Sequence, residues 1–158
     1  MSEKKSFHLN HNYFMELALK EAEKAFAADE VPVGAVLIDQ EGNVLSSAFN
    51  QTISLHDPTA HAEISALRIA GQKIKNYRFV NTTLYVTVEP CIMCMGAIIH
   101  SRVSHVVFGT PDPKWGAAGS LYAFQDDLRL NHQPRITEGI CKKKCRQLMV
   151  DFFKQKRL

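Results

Sequence analysis

The sequence of 158 residues predicts an α/β layered domain, with helices on both faces of a largely buried sheet. Short β-branched apolar runs alternate with stretches of helical periodicity, and turn-forming residues punctuate the boundaries. No Pro/Gly/Ser-rich linker, internal repeat or low-complexity segment divides the chain, so residues 1–158 are expected to form one domain. A hydrophobic fraction of 46% and a charged fraction of 22% suit a globular protein with a substantial core.

The elements follow in order. Residues 1 to about 10 read as a loose start. From His11 to Ala28, Phe14, Leu17, Ala18, Ala22 and Ala25 recur at helical spacing and predict an amphipathic helix. Val33–Ile38 and Val44–Phe49, joined by the turn-rich Asp39–Asn43, predict a hairpin. Asp57-Pro58-Thr59 precedes a helix expected over Ala60–Gly71, with Asp57 or Thr59 as its cap and Gly71 at its end. Thr82–Val88 is β-branched and predicts a strand; a second helix is expected from the following cysteines to His100. Val103–Phe108 predicts another strand, Gly109–Ser120 a loop, and Arg135–Glu138 a short edge strand. A basic helix over residues 141–157 closes the chain.

That last helix holds seven basic residues, Lys142, Lys143, Lys144, Arg146, Lys154, Lys156 and Arg157, against the single acid Asp151. It carries +6 of a net charge of +3, which leaves −3 on residues 1–140. Two readings stand open: a surface for a polyanion, or a solvated helix face. No apolar run has membrane-spanning length, and no signal-peptide pattern is visible, so a cytoplasmic protein without membrane contact is expected.

The chemistry concentrates in His61-Ala62-Glu63 and Pro90-Cys91-Ile92-Met93-Cys94. Three ligands in motif spacing, His61, Cys91 and Cys94, match a zinc site of catalytic type, which keeps its fourth position for water. Two thiolates and a neutral imidazole balance the charge of one Zn²⁺ per chain. Both motifs are expected at helix N-termini, where unpaired N–H groups favour thiolate over thiol. Glu63 is left over, placed to move protons at a metal-bound water. The competing arrangement is a closed structural site that recruits Cys141 and Cys145, but these lie on an apolar stripe with Leu148, Met149 and Phe152. His8, His11, His56, His100, His105 and His132 lack a paired ligand motif and read as surface or structural groups; His56 stands nearest the motif helix.

The two motifs together resemble the zinc-dependent nucleoside and nucleobase deaminases. Further runs extend the likeness from about Tyr13 to Arg157. They are Glu30–Val36, Asn50, His56–Glu63, Thr83–Cys91, Gly116–Ser120, Asn131-His132 and Asp151–Phe153, and they are similar to the bacterial tRNA-specific adenosine deaminases. The resemblance implies a three-layer cytidine-deaminase-like fold, a five-stranded mixed sheet flanked by helices. It implies hydrolytic conversion of adenosine to inosine at the wobble position of a tRNA anticodon stem-loop, with ammonia released. Carried over residue by residue, it places zinc on His61, Cys91 and Cys94 and makes Glu63 the proton carrier between water, N1 and the departing amine. Asn50, the backbone at Ala62, Asp112 and Phe153 become substrate-binding positions. A homodimer is implied as well. Trp115, in Pro113-Lys114-Trp115, departs from the smaller residue expected there. It either stacks on a flipped base or packs the loop against the body.

Overall fold

The computed structural model describes residues 9–157, so residues 1–8, most of the expected loose start, and Leu158 lie outside the described residues. Helix α1 (His11–Ala27) begins at Asn10, whose side chain accepts the Tyr13 N–H at 3.1 Å. Strands β1 (Gly34–Ile38), β2 (Val44–Phe49), β3 (Thr83–Val88), β4 (His105–Thr110) and β5 (Arg135–Thr137) form one sheet in the order β2-β1-β3-β4-β5. β1 is antiparallel to both β2 and β3, whereas β3, β4 and β5 run parallel. Every strand except β1 therefore points the same way.

Helix α2 (Ala62–Ile74) joins β2 to β3, and α3 (Ile92–His100) joins β3 to β4. Both lie on one face, where Ala62, Ala66, Met95 and Ile98 pack with Leu37, Leu84, Val86 and Phe108. Helices α1 and α4 (Lys142–Lys156) cover the other face, where Phe14, Met15, Ala18 and Cys145 pack with Val36, Ile38, Tyr85 and Val107. Neighbouring strand residues go to opposite clusters, the period-2 alternation of a sheet buried on both sides. Because α2 and α3 each follow a strand of the common direction, both helices start at the same edge of the sheet. Ligand sites in α/β folds form at such carboxyl edges.

The α/β class, the five strands and the four helices match the expectation, and several bounds differ. α2 starts at Ala62 and runs to Ile74, with Lys75 in the left-handed conformation as its cap, so Gly71 lies inside the helix. Asp57 instead shapes the approach, accepting the Thr59 N–H at 2.8 Å and the Thr59 hydroxyl at 2.7 Å. β4 starts two residues late because Arg102 takes a left-handed turn (φ 63°) that closes α3, with the Val103 N–H bonded to the Ile98 carbonyl. β4 also continues to Thr110, paired with Val88 of β3, so Gly109 belongs to the strand, and a side chain there would strike Cys145 of α4. A short 3₁₀ turn at Phe124–Asp126 adds an element that the periodicity does not predict.

Candidate metal centre and the loops around it

His61 and Cys91 occupy equivalent positions: each is the N-cap of its helix, in extended conformation with ψ of 153° and 179°. Their side chains lie at the helix tips, and Cys94 stands one turn into α3. The Nδ1 of His61 lies 3.6 Å from Cys91 Sγ and 3.5 Å from Cys94 Sγ, and the three donor atoms lie within 4.8 Å of one another. Nitrogen and sulfur ligands on a tetrahedral zinc, at about 2.0 and 2.3 Å from the metal, stand about 3.5 Å apart. The donor set therefore fits zinc in both chemistry and spacing. A hydrogen bond from Cys94, joined by one from His61, pulls the Cys91 thiol down to about 4, whereas that same bond to Cys91, with burial, pushes the Cys94 thiol strongly up, so that without metal the two thiols share one negative charge.

Glu63, the second residue of α2, lies outside this triad of donors and is only 4% exposed. Burial pushes its carboxyl up to about 7, and Cys94 lies within hydrogen-bonding reach of it. A carboxyl that titrates near neutrality is thus held against the candidate metal ligands.

The closed four-cysteine arrangement is overturned. Cys145 is buried in the core of the α1/α4 face, on the other side of the sheet from α2 and α3. Cys141 lies beside Asn12 and Glu16 at distances of 3.8 and 3.9 Å. Among the described residues, the histidine–cysteine triad is the one group able to hold a metal.

Asn50, directly after β2, accepts the Ala62 N–H on Oδ1 at 2.8 Å. Since that N–H can only donate, the amide orientation is fixed and Nδ2 remains as a donor for a ligand. Ala62 itself is fully buried, so it orients Asn50 rather than offering a surface of its own. Asp112 is half-buried, and its Oδ1 accepts the N–H groups of Lys114 and Trp115 at 3.0 and 3.3 Å. Phe153 lies near the end of α4, edge-on to Phe152, which packs on Phe26 at the end of α1. His56 is exposed in a left-handed turn. His11, His105 and His132 have structural bonds to Tyr85, Thr137 and the Val103 carbonyl, and His8 lies outside the described residues.

Two buried carboxylates that the sequence did not single out for a role brace the loops beside the centre. Glu30, 1% exposed, accepts the N–H groups of Ile53 and Ser54 at 3.2 and 2.7 Å. Glu89, 3% exposed, accepts the N–H groups of Asp112, Ala118 and Ser120 at 3.1, 3.0 and 3.1 Å, together with the Ser120 hydroxyl. The signal for Glu89 was a charge at the end of an apolar strand, immediately before Pro90-Cys91. The loop it holds pairs Gly116 with Cys91 in a single antiparallel bridge, and the Ala117 N–H bonds the Pro90 carbonyl at 2.9 Å. A side chain at Gly116 would collide with Glu89.

The basic helix is partly neutralised within the fold, since Lys144 pairs with Glu16 and Lys156 with Asp29. The second of these pairs holds the end of α4 against the end of α1. Trp115 does not pack the loop against the body: it is 65% exposed. No helix among the described residues is long and apolar enough to cross a membrane.

Fold and donor set together define a zinc-dependent deaminase, and the chain belongs to the family of the cytidine and deoxycytidylate deaminase zinc-binding region, whose model matches residues 9–110. Within that family it groups with the tRNA-specific adenosine deaminases. It is 50% identical over 143 residues to the tRNA-specific adenosine deaminase of Haemophilus influenzae, covering 90% of this chain and 83% of that one. To the enzyme of the same name from Buchnera aphidicola it is 46% identical over 146 residues, covering 92% and 95%. It is also similar to a solved structure from studies of A-to-I editing by tRNA:A34 deaminases at the wobble position of transfer RNA. The TM-score is 0.83 at 40% identity, covering 86% of this chain and 98% of that one.

Proposed function

We propose that this protein, acting as one domain, is a zinc-dependent hydrolase that converts adenosine to inosine at the wobble position of a tRNA anticodon and releases ammonia. The observation that carries the reading is a donor triad with zinc spacing beside a buried carboxyl: His61 Nδ1 at 3.6 and 3.5 Å from Cys91 and Cys94, and Glu63 next to Cys94. The relationship to tRNA-specific adenosine deaminases supplies the substrate.

Zinc held by His61, Cys91 and Cys94 supplies Lewis acidity that brings the pKa of water toward ~7. Glu63 takes a proton from the water whose oxygen bonds to C6 of adenine, and delivers it to N1. It then carries the second proton to the exocyclic nitrogen; the C6–N bond breaks with its electron pair on nitrogen, and ammonia leaves. Atoms balance as adenosine plus water giving inosine plus ammonia. Asn50 donates from Nδ2 to an acceptor on the purine, with Ala62 fixing its orientation. Asp112, Phe153 and the basic residues of α4 meet the flanking nucleotides.

The enzyme works in the cytoplasm as a homodimer. An open groove of about 770 Å³ between α2, α3 and the Lys75–Phe79 segment, apolar at Leu67, Tyr77, Phe79 and Ala97, is the surface on which a second copy would dock.

An anticodon stem-loop assay tests this reading. Wild type should form inosine and ammonia, with binding that weakens steeply as salt rises. Glu63→Ala should keep about one zinc per chain and lose about 10²–10⁴-fold in turnover. Turnover of free guanine or cytidine, with none on RNA, would reject the proposal.

A further inference from the structure

Trp115 is the single tryptophan of the chain, and its exposure contrasts with the rigidity of its backbone. The turn that carries it is fixed from three directions. Asp112 Oδ1 holds the Lys114 and Trp115 N–H groups, and the Gly116 N–H bonds the Asp112 carbonyl at 2.9 Å. Buried Glu89 gathers the donors of Asp112, Ala118 and Ser120. Gly116, the next residue, is bridged to the metal-ligating candidate Cys91. A large rigid indole is therefore presented to solvent one residue away from a strand-like contact with the metal centre, on a turn with little freedom to tuck it away.

We infer that Trp115 is a positioning residue of the RNA site, whose indole stacks on a nucleobase flanking the adenine that enters the metal centre. The inference rests on the reading of the protein as an RNA deaminase. Chemistry at C6 requires the target base to leave its stack, so the neighbouring bases lose a stacking partner when it does. An indole face replaces that partner, and it accepts any base because every base has a π-face. Lys114, also exposed, stands beside it as a cation for the adjoining phosphate. The platform is already ordered before RNA arrives, so little conformational freedom is lost on stacking.

The lone tryptophan provides its own probe. Zinc-loaded Glu63→Ala protein is titrated with a labelled anticodon stem-loop containing adenosine at the wobble position, following RNA anisotropy and tryptophan emission together. The two signals should change in parallel, with emission quenched at saturation. In the otherwise wild-type enzyme, Trp115→Ala should raise KM roughly 5- to 150-fold with kcat and zinc content unchanged, and Trp115→Phe should restore most of the loss. RNA binding with unaltered emission, or an unaltered KM in Trp115→Ala, overturns the stacking role and leaves the RNA reading intact. Absence of RNA binding by the zinc-loaded protein overturns both. A change of oligomeric state in Trp115→Ala without a change in KM assigns the indole to a protein contact and likewise overturns the stacking role.

Discussion

Asn50 Oδ1 accepts the Ala62 N–H at 2.8 Å, at the residue that separates the metal-ligating candidate His61 from Glu63. One amide thus ties the end of β2 to the first turn of α2 and, by using its oxygen there, leaves its nitrogen available as a donor. The two roles can be separated. Asn50→Asp keeps an oxygen for the Ala62 N–H at a helix N-terminus, where a negative charge is favourable, but offers no donor to the base. It should hold the thermal midpoint and zinc content while raising KM. Asn50→Ala should lose about 1 kcal/mol of stability as well. An Asn50→Asp enzyme with wild-type KM would contradict the assignment.

Glu89 is the internal strut of the loop carrying Asp112 and Trp115. Glu89→Gln replaces one acceptor oxygen with a donor facing backbone N–H groups, an exchange expected to cost about 1–3 kcal/mol in a urea or thermal unfolding measurement. Gly116→Ala should weaken the same loop by steric conflict with Glu89. Both variants should lose more activity on RNA than zinc. Stability and turnover equal to wild type in both would remove the bracing role.

The charge on α4 divides by its surroundings. Lys142 and Lys143 are exposed, whereas Lys144 is paired with Glu16 and Lys156 with Asp29. Neutralising Lys142 and Lys143 should therefore weaken RNA binding and flatten its salt dependence, by about 0.7 in log–log slope for each single-strand phosphate that is no longer neutralised. Neutralising Lys144 alone should have a smaller effect. An unchanged slope in the Lys142/Lys143 double variant would return α4 to a solvated face.

His105, buried at the start of β4, bonds Thr137 at 2.7 Å and faces Arg135, His11 and, through His11, the Tyr85 hydroxyl. Burial, with the nearby Arg135 and His11, holds its pKa down at about 4, against an ordinary 6.5. Above pH 6.5 the ring is neutral in both folded and unfolded chains, and stability is complete. As pH falls from 6.5 toward 4 the unfolded chain gains a proton that the folded protein refuses, so stability declines by something on the order of 3 kcal/mol. Urea midpoints should fall across that window in wild type, and His105→Gln should flatten the curve. Parallel curves for the two proteins would show that His105 does not set the acid sensitivity.

The metal centre was legible in the sequence because its chemistry is local: His61 and Glu63 share one helix start, Cys91 and Cys94 another. The sheet and helices were legible from periodicity and turn residues, with bounds displaced where a single left-handed residue, Arg102 or Lys75, decided the ending. The bracing by Glu30 and Glu89 was not legible. Their partners are backbone N–H groups 23 to 31 residues away, and main-chain donors leave no mark in side-chain pattern. Nor did composition reveal the pairing of Lys144 with Glu16, 128 residues distant, or the exposure of Trp115. Both depend on how α1, α4 and the Glu89 loop meet in three dimensions.

Zinc K-edge X-ray absorption on purified protein, with elemental analysis of the same sample, tests the catalytic centre most directly. The expected result is one zinc per chain with two sulfur neighbours at about 2.3 Å and two nitrogen or oxygen neighbours at about 2.0–2.1 Å, unchanged in Glu63→Ala. A third or fourth sulfur neighbour, or protein without stoichiometric zinc, would contradict it.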